Sequence, residues 1–193
     1  MAFWIKWGIF SSIGSGAGVL LWVSVGGVME AVGFSSQEPA EVALQSAIVG
    51  AVFGTCFGLG QWLALRRSLT NSKRWILATA LGYTLVFLTA GILLPGGEVA
   101  SLSPWLQITA GFVLGGLIGL LVSFLQWWLV LRHRVAGSAI WILASAGAWA
   151  LGFAISFALG IWFGDLTFVA GPMVAIAVSG IVLGRLFRDS SES

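Results

Sequence analysis

The chain has 193 residues, 59% of them apolar and only 8% charged, with nine Lys or Arg, seven Asp or Glu and a net charge of +2. An average soluble domain carries about 25% charged residues, so a water-soluble globular domain is excluded: its core could not absorb this much apolar surface. The basic residues occur in pairs at the ends of apolar stretches, which excludes a nucleic-acid-binding patch and gives them the roles of orienting helices and meeting anionic lipid headgroups.

Lys6 is followed by 23 uncharged residues up to Glu30. That run is too long for the apolar core of a signal peptide and shows no clear cleavage site, so it reads as a first membrane helix over about residues 4–32. After Glu38, Pro39 suits the first turn of a second helix over 39–65, ending at Arg66 and Arg67. Ser72 is placed to cap a third over 73–94, which stops before Pro95-Gly96-Gly97 and Glu98. Ser103-Pro104 opens a fourth that reaches Leu131, ahead of Arg132, His133 and Arg134. Ser138 caps a fifth ending near Phe163, and Asp165 a sixth ending near Phe187, beside Arg185 and Arg188.

Every uncharged stretch has at least 19 residues, and roughly 20 helical residues cross a hydrocarbon core of about 30 Å. The prediction is therefore an all-α membrane protein, a six-transmembrane-helix bundle in which residues 1–193 form one unit of three hairpins, at about 1–66, 67–132 and 133–193. Because Lys and Arg are retained in short cytoplasmic loops, both termini are expected in the cytoplasm, with Glu30 to Glu41, Glu98 and Asp165 outside.

The sequence repeats itself. Ser46, Gly50, Gly54, Gly58 and Gln61-Trp62 recur 65 residues later as Gly111, Gly115, Gly119, Ser123 and Gln126-Trp127. One inserted residue then moves the offset to 66, aligning Leu65-Arg66 with Leu131-Arg132 and Trp75-Ile76-Leu77-Ala78 with Trp141-Ile142-Leu143-Ala144. Helices 2 and 3 thus repeat as helices 4 and 5. Helix 1 carries a weaker copy in Trp7 and Gly14, and helix 6 another in Gly180 and Gly184, with Phe187 where the alignment places the glutamine. Hairpins that enter and leave on one side imply parallel repeats, unlike the inverted repeats of many alternating-access transporters.

Small residues four apart form a smooth ridge along a helix. The longest is in helix 5: Ala144, Ala148, Gly152, Ser156, Gly160 and Gly164. The glycines of helices 2 and 4 (Gly50, Gly54, Gly58; Gly111, Gly115, Gly119) make two more, and Gly14 and Gly18 a short one in helix 1. Lipid tails are as apolar as leucine, so helices associate in membranes through such close approach. Two uses stay open: packing within the bundle, or docking of another membrane subunit on helix 1 or helix 5.

Gln61 and Gln126 each lie seven residues beyond a ridge glycine and so return to its face. Their amides need partners for two donors and an acceptor, supplied either by a neighbouring helix or by a ligand. Nine of the eleven tryptophans lie near helix ends, as in an interfacial aromatic belt, whereas Trp22 and Trp149 lie deeper and suit a cavity wall. With Gln61 and Gln126 they form the candidate ligand-binding set. Catalytic residues are not indicated: the one histidine, His133, sits between two arginines, and the apolar segments hold no ionisable residue away from their ends. No second His, Cys or carboxylate lies near His133 at metal-ligand spacing, and the single Cys56, with no intrachain partner for a disulfide, reads as a small buried hydrophobe.

The segments GAVFGTCFGLGQWLALRR and GFVLGGLIGLLVSFLQWWLVLR resemble a recurrent hairpin of poorly characterised multi-pass membrane proteins in cyanobacteria and related bacteria. The resemblance implies a module of a bacterial inner or thylakoid membrane and transfers no activity. In size and topology the chain is also similar to the substrate-binding components of energy-coupling-factor vitamin transporters. The expected function is a non-enzymatic membrane subunit or assembly factor that docks with other integral membrane subunits among membrane lipids. The alternative is a binding or transport component for a small apolar vitamin, lipid or pigment. No cofactor is expected beyond such a bound lipid or pigment.

Overall fold

The computed structural model describes residues 2–31, 38–69, 71–93, 102–135, 137–163 and 170–192. They form six long helices and, among the described residues, no strand: α1 (Phe3–Ala31), α2 (Pro39–Leu65), α3 (Arg74–Leu93), α4 (Pro104–Gln126), α5 (Ile140–Phe163) and α6 (Ala170–Glu192). All six are long and apolar enough to cross a membrane. Much of their outer surface is bare hydrocarbon, including Leu20, Leu77, Leu143 and Trp105, each more than half exposed. Water would penalise a continuous surface of that kind, and lipid does not.

Each helix packs on the next, and α6 returns to α1. The result is a closed ring. Contact is most extensive within the pairs α2/α3 and α4/α5, and slightest at the α3/α4 and α1/α6 junctions. The glycine ridges account for the difference. A Cβ at Gly54 would lie 2.9 Å from the Ala80 Cα and the Thr79 carbonyl oxygen, and one at Gly119 would lie 2.8 Å from the Ser145 carbonyl and 2.9 Å from the Ala146 Cα. Gly50 and Gly115 meet the carbonyls of Tyr83 and Trp149, Gly58 meets Ile76 and Thr79, and Gly111 meets the Phe157 ring. These ridges pack inside the bundle, backbone against backbone.

The remaining ridges do the same. Gly14 faces the Cys56 carbonyl, and Gly60, in the facing helix, meets that of Phe10, which brings α1 against α2. In α5, Ala148, Gly152 and Ser156 are buried. Gly152 abuts Gly171 of α6, and the Ser156 hydroxyl accepts the Gly171 N–H at 3.1 Å, satisfying one of the orphan donors of that helix's first turn. Gly160 is half-buried, while Gly164, Glu98 and the Asp165 cap lie outside the described residues. The Gly152–Ser156 part of the α5 ridge is therefore covered by α6.

One turn joins the helices of both tight pairs. Leu69 and Val135 donate to Leu65 and Leu131 at 3.0 Å, Asn71 and Gly137 take positive φ (52° and 67°), and Trp75 and Trp141 donate their backbone N–H groups to the carbonyls of Ser72 and Ser138 at 2.9 and 3.0 Å. Ser72 and Ser138 thus sit at the helix entries. The inserted residue of the second copy also has a place. Arg66 N–H bonds four residues back to Trp62, whereas Arg132 N–H bonds five back to Trp127, and Trp127–Leu131 is a π-helical turn that continues α4. A single π turn is the usual way for a helix to absorb one extra residue.

Replacing Gly152 by Leu drives a side chain into the Gly171 backbone and is expected to destabilise the isolated protein by about 1 to 3 kcal/mol. Gly147, exposed on the opposite side of the same helix, has no atom within 4 Å of its Cβ position. Gly147→Ala should leave thermal unfolding in detergent at or slightly above wild type. Equal melting temperatures for the two variants would contradict the α5/α6 packing.

Candidate functional site

The basic end of the bundle is organised around three tryptophans. Trp7 of α1, Trp75 of α3 and Trp141 of α5 are buried to within 1% of complete and touch one another, with ring centroids 5.9, 6.1 and 5.8 Å apart. Interfacial belt positions were expected for all three; they are core residues instead. An indole N–H is a donor only, and in an apolar core it must find an acceptor. Trp75 donates to Gln61 Oε1 at 2.8 Å, Trp141 to Gln126 Oε1 at 3.1 Å and Trp7 to Ser179 Oγ at 3.3 Å.

The first two of those bonds orient the amides. With each carbonyl turned to an indole, Gln126 Nε2 faces the other way and donates to Thr79 Oγ1 at 2.9 Å and to Gln61 Oε1 at 3.3 Å. Thr79 in turn donates to the Trp75 carbonyl at 2.8 Å. Gln61 and Gln126, candidate ligand contacts whose amides could equally be met by a neighbouring helix, are buried members of an internal network that ties α2, α3, α4 and α5. Phe187, expected at the glutamine-equivalent position of α6, instead packs edge-on against Phe3 at 5.3 Å. Ser179 takes the acceptor role. Each tryptophan is followed four residues on by a buried hydroxyl, Ser11, Thr79 or Ser145, a recurrence visible in the sequence. The Ser11 hydroxyl has no partner among the described residues.

The other two expected ligand contacts part company. Trp22 is 45% exposed on the outside of α1. Trp149 is buried and forms part of the wall of a groove of about 840 Å³ between α3 and α4. This groove follows from the loose α3/α4 junction. At the basic end the two helices touch closely, a Cβ at Gly82 falling 2.9 Å from Val122 Cγ2. Beyond that point α3 presents Tyr83, Val86, Phe87 and Ala90, and α4 presents Leu114, Ile118 and Leu121, too bulky for backbones to meet.

The floor is aromatic. Tyr83 lies 5.0 Å from Phe53, 5.8 Å from Phe57 and 6.5 Å from Trp149, which lies 6.0 Å from Phe153. The rim residues Leu93, Leu117 and Phe124 are 70%, 57% and 42% exposed on the outer surface, so the groove opens sideways, towards lipid. Its size lies in the range of small-molecule sites, about 300 to 1,000 Å³. Among the described residues, Tyr83 and Thr89 are its only hydroxyl-bearing lining residues. Such a lining can hold a hydrocarbon or an aromatic ring.

Elsewhere, no group of His, Cys, Asp and Glu among the described residues is arranged to hold a metal ion. His133 is exposed in the turn after α4, and Cys56 is half-buried with no disulfide partner. No protein-family model, curated protein or solved structure matches the chain. Functional inference therefore rests on the geometry alone.

Gln126→Leu strips the acceptor from Trp141 and a donor from Thr79, and is expected to cost about 1 to 3 kcal/mol, the penalty of leaving buried polar groups unpaired. Gln61→Leu should cost a similar amount. A double-mutant cycle on thermal unfolding should give a coupling of about 0.5 to 2 kcal/mol between them. Unchanged stability in both single variants, with a change in copurifying molecules, would return these glutamines to a ligand-binding role.

Proposed function

We propose that this chain is an integral membrane protein that binds a small apolar molecule, such as a lipid or an aromatic pigment, in the groove between α3 and α4. The observation that carries this reading is the groove itself, an aromatic-floored recess of about 840 Å³ open to the side at the loosest sequential junction of the ring. A sideways mouth suits a ligand that arrives through the bilayer, because it never has to enter water. In the same reading, the basic helix ends and both termini face the cytoplasm. Three related helical pairs surround a threefold arrangement of Trp7, Trp75 and Trp141, a reading supported by the common turn and by the three indole bonds to preceding helices of the ring.

Subunit docking keeps one observation in its favour. From Val19 to Ser24 every residue of α1 is exposed, and Gly26 and Gly27 have nothing within 4 Å of their Cβ positions. A partner helix in a larger membrane complex would cover this half of α1, and mass spectrometry of complexes purified in mild detergent would reveal it.

For the groove, the absorbance spectrum and mass spectrum of gently extracted protein should show a copurifying lipid or pigment. Ala90→Trp fills the recess from α3 and should lower its retention at least several-fold without unfolding the bundle. Equal retention by a folded Ala90→Trp protein would remove the groove from consideration.

A further inference from the structure

A groove that opens into a bilayer faces a problem that a soluble pocket does not. Lipid tails are as apolar as its walls, so burial of hydrocarbon supplies almost no affinity, and an occupant that stays must be held by shape or by a polar handle. The groove has shape but nearly no polar lining. The handle lies above it, on the same helix face.

Phe124 forms the rim of the groove nearest the basic end. Its ring stacks on Trp128 with centroids 6.1 Å apart, and the Arg132 guanidinium carbon stands 3.6 Å from the centroid of Trp128. Phe124, Trp128 and Arg132 follow one another at four-residue steps, extending the row that begins with Leu117 and Leu120 or Leu121 in the groove. The π turn over Trp127–Leu131 lies within this row and directly precedes Arg132. Arg132 Nε is buried with no hydrogen-bond partner, and no carboxylate of the described residues pairs with the guanidinium. A cation held in place by an aromatic face at the head of an apolar groove, with no carboxylate partner among the described residues, is complementary to one kind of molecule: an amphiphile with an anionic head and a long chain.

Distances along the helix agree. Arg132 lies eight residues from Phe124, roughly 12 Å along the axis, and the groove continues ten residues further to Leu114, roughly another 15 Å. Half the hydrocarbon core is about 15 Å. A chain that starts at Arg132 and fills the groove therefore lies extended past the bilayer midplane. This inference rests on the groove reading above and adds the head. We infer that the α3/α4 groove holds one acyl chain of an anionic glycerophospholipid, with its phosphate on Arg132 and its chain running past Trp128 and Phe124 onto the aromatic floor.

The test uses the full chain in detergent micelles containing equal amounts of dioleoyl phosphatidylglycerol and dioleoyl phosphatidylcholine, with bound lipids counted by native mass spectrometry. Identical chains isolate the head. The wild type should retain phosphatidylglycerol over phosphatidylcholine by about fivefold, the factor contributed by one basic residue near an anionic headgroup. Arg132→Gln should abolish the preference while a lipid chain is still retained. Arg67→Gln, an exposed base at the same end, should leave it intact, and Ala90→Trp should reduce retention of both lipids. Equal retention of the two lipids by the wild type, or the same loss in Arg67→Gln as in Arg132→Gln, would overturn the headgroup assignment while a loss in Ala90→Trp kept the groove reading standing. Normal retention in Ala90→Trp would overturn both. Displacement of phosphatidylglycerol by an equimolar polyprenyl phosphate would overturn the glycerolipid assignment in favour of an isoprenoid chain.

Discussion

An indole N–H in hydrocarbon has no water to fall back on, and this chain places three of them at the centre of its bundle. The requirement for three acceptors organises everything around them. Gln61, Gln126 and Ser179 meet it, and each bond runs from an odd helix to the even helix that precedes it around the ring: α3 to α2, α5 to α4 and α1 to α6. A helix that slid by one turn along its neighbour would orphan a donor, at a cost of the order of 1 to 3 kcal/mol. Register is thereby fixed without any charged pair in the membrane. The same bonds force both glutamine carbonyls in one sense, and the Gln126 amide can then reach across to Thr79 and Gln61, joining one tight helix pair to the other.

Hydrogen bonds fix register but do not by themselves bring helices together. In lipid that depends on contact area, and contact area depends on how closely backbones approach. The ridge glycines face inward within the pairs α2/α3 and α4/α5, so the attraction is concentrated there. At the α3/α4 junction Gly82 against Val122 is the close contact, and the bulky residues beyond it hold the helices apart. The groove is thus a consequence of where small residues are placed. Closing it by direct helix contact would require a second ridge on α3 or α4, and the faces that carry ridges are already committed to their own partners.

The spans, their number and the ridge glycines were legible because they depend on composition and on a four-residue period. Spacing alone marks Gly50 and Gly54 as residues of close helix approach, within the bundle or to a partner, and in the structure they meet α3. Less legible was which face of a helix looks inward when the helix is apolar all round. Trp7, Trp75 and Trp141 sit near the ends of their helices, where amphipathic rings prefer the interface, and nothing local distinguishes them from Trp128, which is exposed. The distinguishing sign is a pairing: each of the three has a buried hydroxyl four residues on, and Trp128 does not. Trp22 misled for the opposite reason, since depth in the membrane was taken to imply the interior of the bundle, whereas its side of α1 has no neighbour. The groove was not legible at all, because a void between two helices is a property of both surfaces together and leaves no mark in either one.

The inserted residue in α4 brings these threads to one place. The core demands that Gln126 occupy the position in its pair that Gln61 occupies in the other, and the turn after the helix demands that Leu131, Val135, Gly137 and Ser138 match Leu65, Leu69, Asn71 and Ser72. Five residues separate Gln61 from Arg66, and six separate Gln126 from Arg132. An unbroken α-helix would carry that sixth residue as a rotation of roughly 100° and put either the glutamine or the turn on the wrong face. The π turn over Trp127–Leu131 takes it up locally, so both ends keep their places and the misfit is confined to the residues between them. Those residues are Trp127 to Leu131, directly ahead of Arg132. The first copy, with no residue to absorb, stays α-helical through Trp62 to Leu65 and has Trp62 and Arg66 together on a polar cleft with Ser72 and Lys73. The second copy has its arginine stacked on an outward tryptophan above an apolar groove. One extra residue therefore separates two nearly identical helix ends into two different surfaces, while leaving the hydrogen-bonded core that relates them unchanged.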